Sequence, residues 1–324
     1  MKRQSIKADH LHSICWVNDF IVDFASAGKK YFLDGHVQEF FSDHFGFGDA
    51  SITSPDGQYA FIYQKLGTKG LLLKNGKLIR EINRSYYCAD VYEFPVTFAT
   101  INDKIILIHC PFKYCRLDFE DVETGEILTD SKNRNPSDFF HSRLEMSPNG
   151  KYLLNKGWSW HPWDGVKAYE IDKCLNNPTL LDNSQIYPEV GTEICTAGFI
   201  DDNKILIGSS NEPALNEDLV ENLPEHTIAV WDFVSDQISK AVKINGEFGN
   251  LFAINHQLAW DLYKYPKIIN ILNGQVIDKD ETISSGLQNS SIIGYRDKQP
   301  KLAFNRQTKQ IAITTESGIE ILSP

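Results

Sequence analysis

Short runs of alternating apolar and polar residues, bounded by Asn, Asp, Gly and Pro, fill most of the chain, and this period-two pattern is that of β-strands. Tyr59 to Tyr63, Ile105 to His109, Tyr152 to Asn155, Ile205 to Gly208 and Ile311 to Thr314 are such runs, each following a tight polar turn. The turns are Asn18-Asp19, Pro55-Asp56-Gly57, Asn102-Asp103, Pro148-Asn149-Gly150, Asp201-Asp202-Asn203, Asn255-His256 and Arg306-Gln307-Thr308. A second set comprises Asp34-Gly35, Asn75-Gly76, Thr124-Gly125, Ser235-Asp236 and Asn273-Gly274, residues suited to hairpins that need positive φ. The fourth unit replaces this second turn with a longer segment from Asp172 to Pro178.

The first set recurs with a mean period of about 48 residues, in the range of four-stranded propeller blades. Each unit therefore reads as strands a, b, c and d, with tight turns between a and b and between c and d. The predicted fold is all-β, a seven-bladed β-propeller in a single domain spanning 1–324. Its blades run roughly over 10–41, 49–84, 96–130, 141–182, 193–244, 250–280 and 300–324. The last unit stops after a third strand, Gly318 to Leu322, while Gln4 to Ala8 has no hairpin partner of its own. Pairing residues 4–8 with the last blade would close the ring and cover an exposed sheet edge.

Trp231-Asp232 closes a predicted strand, and Ser54-Pro55-Asp56-Gly57 and Ser147-Pro148-Asn149-Gly150 occupy turns between strands a and b. In these features the chain resembles a divergent member of the WD-repeat type of seven-bladed propeller. The Gly-His dipeptide usual before strand a is absent, as is Trp-Asp from most blades. The stretch Gly157-Trp158-Ser159-Trp160-His161-Pro162-Trp163-Asp164 is similar to a feature of uncharacterised bacterial propeller proteins. The resemblance implies that the d-to-a and b-to-c connections emerge together on one face, the top. Those connections carry Asp43, His44, Phe45 and Phe47; Tyr86, Tyr87, Tyr92 and Phe94; Pro111, Phe112 and Tyr114; the Trp158 to Asp164 segment; and Tyr263 with Tyr265. Clustered aromatic loops have the composition of a protein-binding hot spot, or they pack on one another to stiffen the loops.

With 42% hydrophobic residues the chain can bury a full core and is not disordered. Its formal charge of −11 repels phosphate backbones, which argues against nucleic-acid partners. No long apolar run and no apolar leader between Met1 and His12 is present, so a soluble cytoplasmic protein without a membrane partner is expected. The six cysteines, Cys15, Cys88, Cys110, Cys115, Cys174 and Cys195, show no C-x-x-C spacing and read as small buried hydrophobes.

The longest insertion, Ser209 to His226, holds Glu212, Glu217, Asp218, Glu221 and Glu225 without a lysine or arginine. Ala214 to Leu223 favours helix, with Leu215, Leu219 and Leu223 spaced to dock one side. The carboxylates would then face a basic partner or simply solvent. Lys65, Lys69, Lys74, Lys77, Arg80 and Arg84 form a local basic group, expected on solvated edges. His10 and His12 would share a strand face but lack a third ligand, and His161 would fix its loop or donate at an interface.

None of the short catalytic or nucleotide-binding signatures is present, and no cofactor or metal is expected. The leading reading is a non-catalytic scaffold, monomeric alone, that binds another protein through its top-face loops, with Trp158, Trp160, His161, Trp163, Asp164, Phe112, Tyr114, Tyr86, Tyr87, Phe45, Phe47, Glu217, Asp218 and Glu221 as the binding residues. A bacterial immunity or antitoxin-like role against a basic toxin fits this reading. The alternative is a hydrolase or lyase at the channel mouth, using Asp43, His44, His109 and His161.

Overall fold

Strand Tyr59–Tyr63 is buried at every position, whereas the outermost strand of the same sheet, Lys77–Asn83, is largely exposed. Strands covered on both faces read as continuous apolar runs, and edge strands carry charge. Seven antiparallel sheets make the chain all-β and a seven-bladed β-propeller. The computed structural model describes residues 1–39, 43–293 and 299–324, and the side chains of Glu217 and Val220 also lie outside the described residues. So do Phe40 and Phe41, where the predicted first blade ends.

The chain divides into two units. One comprises Met1–Phe94, Ile283–Ser285 and the carboxy-terminal strands. Its first blade is Cys15–Val17, Phe20–Asp23, Lys29–Tyr31 and Val37–Glu39, and its second is Ala50–Thr53, Tyr59–Tyr63, Lys69–Lys74 and Lys77–Asn83. The last blade is Leu302–Phe304, Ile311–Thr315 and Gly318–Ser323, completed by the amino-terminal strand Lys2–Lys7. The pairing that the sequence predicts is thus present, in register from Lys2↔Ser323 to Lys7↔Gly318. Ile6 is the buried residue of that strand and packs with Ile14, Ile21, Ile319 and Ile321. Arg3 and Ser5 both donate to the Glu320 carboxylate, at 2.8 and 2.7 Å. Gly318 has φ +139°, and a Cβ there would lie 2.1 Å from the Ile6 carbonyl, so the close approach of the two chain ends requires glycine.

The other unit comprises Pro95–Thr282 with residues 286–293. Its third blade, Val96–Ile101, Lys104–His109 and Asp118–Asp121, keeps only the bridge Glu120↔Ile127 in place of a fourth strand. The fourth is Glu145–Met146, Tyr152–Ser159 and Trp163–Glu170; beyond it the helix Ile171–Asn176 and the 3-10 turn Pro178–Leu181 occupy the longer segment. The fifth is Ile194–Phe199, Lys204–Ser209, Thr227–Asp232 and Gln237–Ile238, with Val242–Lys243 also on Thr227–Asp232. The sixth is Leu251–Ala253, Leu258–Asp261, Lys267–Asn270 and Val276–Lys279. Apolar clusters fill the spaces between successive blades of this unit.

A polar residue on strand b ties down the chain ahead of strand a in several blades. Asp23 accepts from the backbone of His12, Ser13, Ala25 and Ser26. Asp261 accepts from Gly249 and Tyr263. In the fourth blade Asn155 contacts His141 Nδ1 at 2.7 Å while His141 Nε2 meets the Cys115 carbonyl at 3.0 Å. Burial lowers the His141 pKa to about 3, so this imidazole is neutral near pH 7. The six cysteines are free; five are buried and Cys88 is half-buried.

Two local expectations are corrected. The Trp158 to Asp164 stretch is not an expanded loop: Tyr152–Ser159 and Trp163–Glu170 pair along eight registers, turning at Trp160, His161 and Pro162. Gly157 and Gly165 lie opposite one another in this hairpin, and a Cβ on Gly157 would come within 2.1 Å of the Phe140 carbonyl. Close approach of the preceding segment, rather than loop freedom, accounts for Gly157. The insertion forms a 3-10 helix over Glu217–Asn222, capped by the Asn216 side chain, instead of an α-helix. Leu215 and Leu223 flank this short helix, and Leu223 is buried while Leu215 is 72% exposed, so the three leucines do not dock as one face.

Candidate protein-binding surface

In the third and fourth blades, four aromatic rings form one ladder. Tyr114 stacks on Phe140 at 4.4 Å, and Phe140 lies nearly parallel to Trp158 at 3.8 Å and 5°. Trp160 meets both Phe140 and Trp158 edge-on, at 5.4 and 5.5 Å. Backbone bonds in both directions between Phe140 and Trp158 hold the middle of the ladder. The Tyr114 hydroxyl donates to Asp138 at 2.7 Å. Trp158 is buried and Trp160, two residues on, is 45% exposed, because the strand continues into its turn. The edge-on contacts of Trp160 are a favoured arrangement of ring pairs, so the exposed indole stands on a fixed base. Phe112, 53% exposed, carries the Arg116 guanidinium at 4.7 Å from its ring centre. These residues come from the b-to-c connections of both blades and the segment entering the fourth.

His161 is exposed at φ +81°, and Trp163 is half-buried. Asp164 is a correction: it is buried, and its carboxylate accepts the Ser291 N–H at 3.0 Å on both oxygens. Its N–H in turn donates to Glu193 at 2.8 Å. Burial raises the pKa of both carboxyls, opposed at Asp164 by Arg143 and at Glu193 by that N–H. Arg143 donates to the Ser291 hydroxyl at 2.6 Å and to the Cys195 carbonyl at 3.1 Å. This polar cluster anchors the chain near Ser291 and offers no carboxylate to a partner.

In the insertion Asp218 and Glu221 are exposed, while the Glu217 side chain lies outside the described residues. The acidity extends further than the insertion. Residues 174–239 hold twelve carboxylates against Lys204 alone, a net −11 equal to that of the whole chain. Sequence reading confined to the insertion missed this concentration, although counting charge along the chain would have found it.

The remaining predicted residues belong to the other unit. Tyr86 is 85% exposed and Tyr87 also exposed, on a loop organised from below by Arg84. Arg84 is buried, correcting its assignment to a solvated edge. It donates to the carbonyls of Gly67, Ala89 and Tyr92 at 2.7 to 2.8 Å and lies over the rings of Tyr92 and Phe94. Tyr92 and Phe94 are therefore buried supports of the loop and not surface aromatics. Phe45 and Phe47 are half-buried against the core between the first two blades.

The candidates for a catalytic site are divided in the same way. Asp43 and His44 belong to the first unit, where the His44 ring meets that of His12 edge-on at 5.0 Å. His10 and His12 precede the first blade outside any strand, so they do not share a strand face. His109 and His161 belong to the second unit, and His109 is buried with its Nε2 2.8 Å from Glu120.

No protein-family model and no curated protein matches the sequence. Among solved structures, the crystal structure of the computationally designed Ika8 protein is similar, with a TM-score of 0.52 at 11% identity over 100% of both chains. Similarity at that identity concerns the fold alone. No helix among the described residues is long and apolar enough to cross a membrane.

Proposed function

We propose that the protein is a non-catalytic scaffold that binds another protein through the aromatic surface of its third and fourth blades. The observation that carries this reading is the ring ladder ending in exposed Trp160. Its inner members are held by stacking and backbone bonds, so little side-chain entropy remains to be lost when a partner covers the indole. Phe112 and Tyr114 extend the surface, and the acidic stretch from 174 to 239 favours a partner with a basic face. An immunity-type protein that covers a basic toxin is one form of this function.

Affinity capture from the native host tests the proposal. Wild-type bait should retain a specific protein that Trp160→Ala/Phe112→Ala bait loses, while both baits have the same melting temperature. Equal retention by both would remove this surface from the interface.

A further inference from the structure

The fourth blade is open along part of its outer edge. In the hairpin, Trp158 and Lys156 direct their N–H groups inward to the carbonyls of Phe140 and Ser142. Antiparallel alternation then makes Gly157↔Gly165 and Asn155↔Lys167 hydrogen-bonded pairs and turns the backbone of Asp164, Val166 and Ala168 outward. Ala168 donates to Ile186 at 2.8 Å, and Asp164 to the Glu193 carboxylate at 2.8 Å. Between them the outward N–H and C=O of Val166 have no partner among the described residues, although Val166 is only 4% exposed. A buried backbone pair left unmatched is costly and marks a place for an incoming donor and acceptor.

The space beside Val166 is a cleft of about 170 Å³, bounded by Phe139, Trp163, Gly165, Lys167, Tyr187 and Val190. It exists because the chain leaves the ladder after Ile186, where Pro188 has no N–H to offer. The far wall is braced by the acidic insertion: Leu215 donates to the Gly191 carbonyl at 2.9 Å, and Asn222 to that of Glu189 at 2.8 Å. Glu189, Asp218 and Glu221 are exposed on this wall and its brace. Lys167 places its ammonium over the Phe139 ring at 4.3 Å.

We infer that this edge is a docking groove for an extended basic segment of a partner protein, which pairs its backbone with Val166 and places one apolar side chain in the cleft. The inference rests on the protein-binding function proposed above and supplies the chemistry of the partner. Pairing at Val166 provides one main-chain donor and one acceptor, the apolar side chain in the cleft provides specificity, and the carboxylates of the wall meet lysine or arginine on the segment.

The probes are a labelled peptide of alternating lysine and valine, its counterpart with glutamate for lysine, and the lysine peptide N-methylated at alternate amides. Fluorescence anisotropy with the full chain should show the lysine peptide binding at least about tenfold more tightly than the other two. A Cβ on Gly165 would meet only Phe139, at 3.5 Å, so Gly165→Leu fills the cleft without backbone conflict and should weaken binding by a similar factor. Leu272→Ala, an exposed apolar residue of the sixth blade outside both surfaces, should leave peptide binding unchanged. The inference is overturned if the lysine peptide does not bind, if methylation or Gly165→Leu has no effect, or if Leu272→Ala abolishes binding. The methylated peptide uses the unmodified protein, so misfolding of a variant does not remove the test. Failure here would leave the capture result standing, and loss of the captured partner would leave the peptide result standing.

Discussion

Truncating Ile6 to alanine isolates the contribution of the amino-terminal strand to the last blade. Ile6 is the buried side chain of Lys2–Lys7, 2% exposed, and it packs on residues of the first and last blades. Removing three carbons costs about 2.4 kcal/mol at roughly 0.8 kcal/mol per buried methylene. Incomplete collapse of the cavity raises the expected loss to about 3 kcal/mol. The backbone ladder from Lys2↔Ser323 to Lys7↔Gly318 survives the substitution, so the change reports packing and not loss of the strand. Lys2→Ala, at the exposed end of the same strand, should change stability by no more than about 0.5 kcal/mol. Urea unfolding followed by tryptophan fluorescence should show a lower midpoint for Ile6→Ala at an unchanged slope. Equal midpoints for the two variants would refute the reasoning, because a frayed strand would make position 6 as indifferent as position 2.

Arg84→Ala should destabilise the protein by about 3 kcal/mol, since three buried carbonyls lose their donor, and limited proteolysis should cut newly between residues 85 and 92. His141 has a folded pKa below its unfolded value, so its contribution is fully present above about pH 6.5 and is lost as pH falls toward 3. The stability difference between wild type and His141→Gln, measured by urea unfolding across that window, should therefore shrink on acidification; a constant difference would contradict a neutral imidazole. Replacing Glu217, Asp218 and Glu221 with their amides should slow association with the captured partner and flatten its salt dependence, leaving dissociation little changed; stopped-flow rates at low and high salt check this.

Hairpin turns and alternation made the seven blades and the closing strand legible because both are local in sequence. Positive φ at Asn75-Gly76 and Gly274, for example, follows from residue type alone. The Trp158 to Asp164 stretch was misread as a loop for a physical reason. Its strands are covered by Phe139 and Phe140, segments distant enough that no one-sided period appears, and its two glycines resemble loop punctuation. Arg84 and Asp164 were placed on the surface because charge usually stays there; burial is permitted by carbonyls in one case and by Ser291 and Arg143 in the other. The open edge at Val166 depends on which N–H groups face outward, and that is fixed by register, not composition.

The most direct test of protein binding through the ring ladder is the affinity of the captured partner for wild type and Trp160→Ala, measured by isothermal titration calorimetry. The indole is exposed and its removal leaves Phe140 stacked on Trp158, so the fold should be unaffected. A loss of about 2 kcal/mol or more, roughly thirtyfold in Kd, with an unchanged melting temperature is the predicted result. Unchanged affinity would contradict the account and place the interface elsewhere.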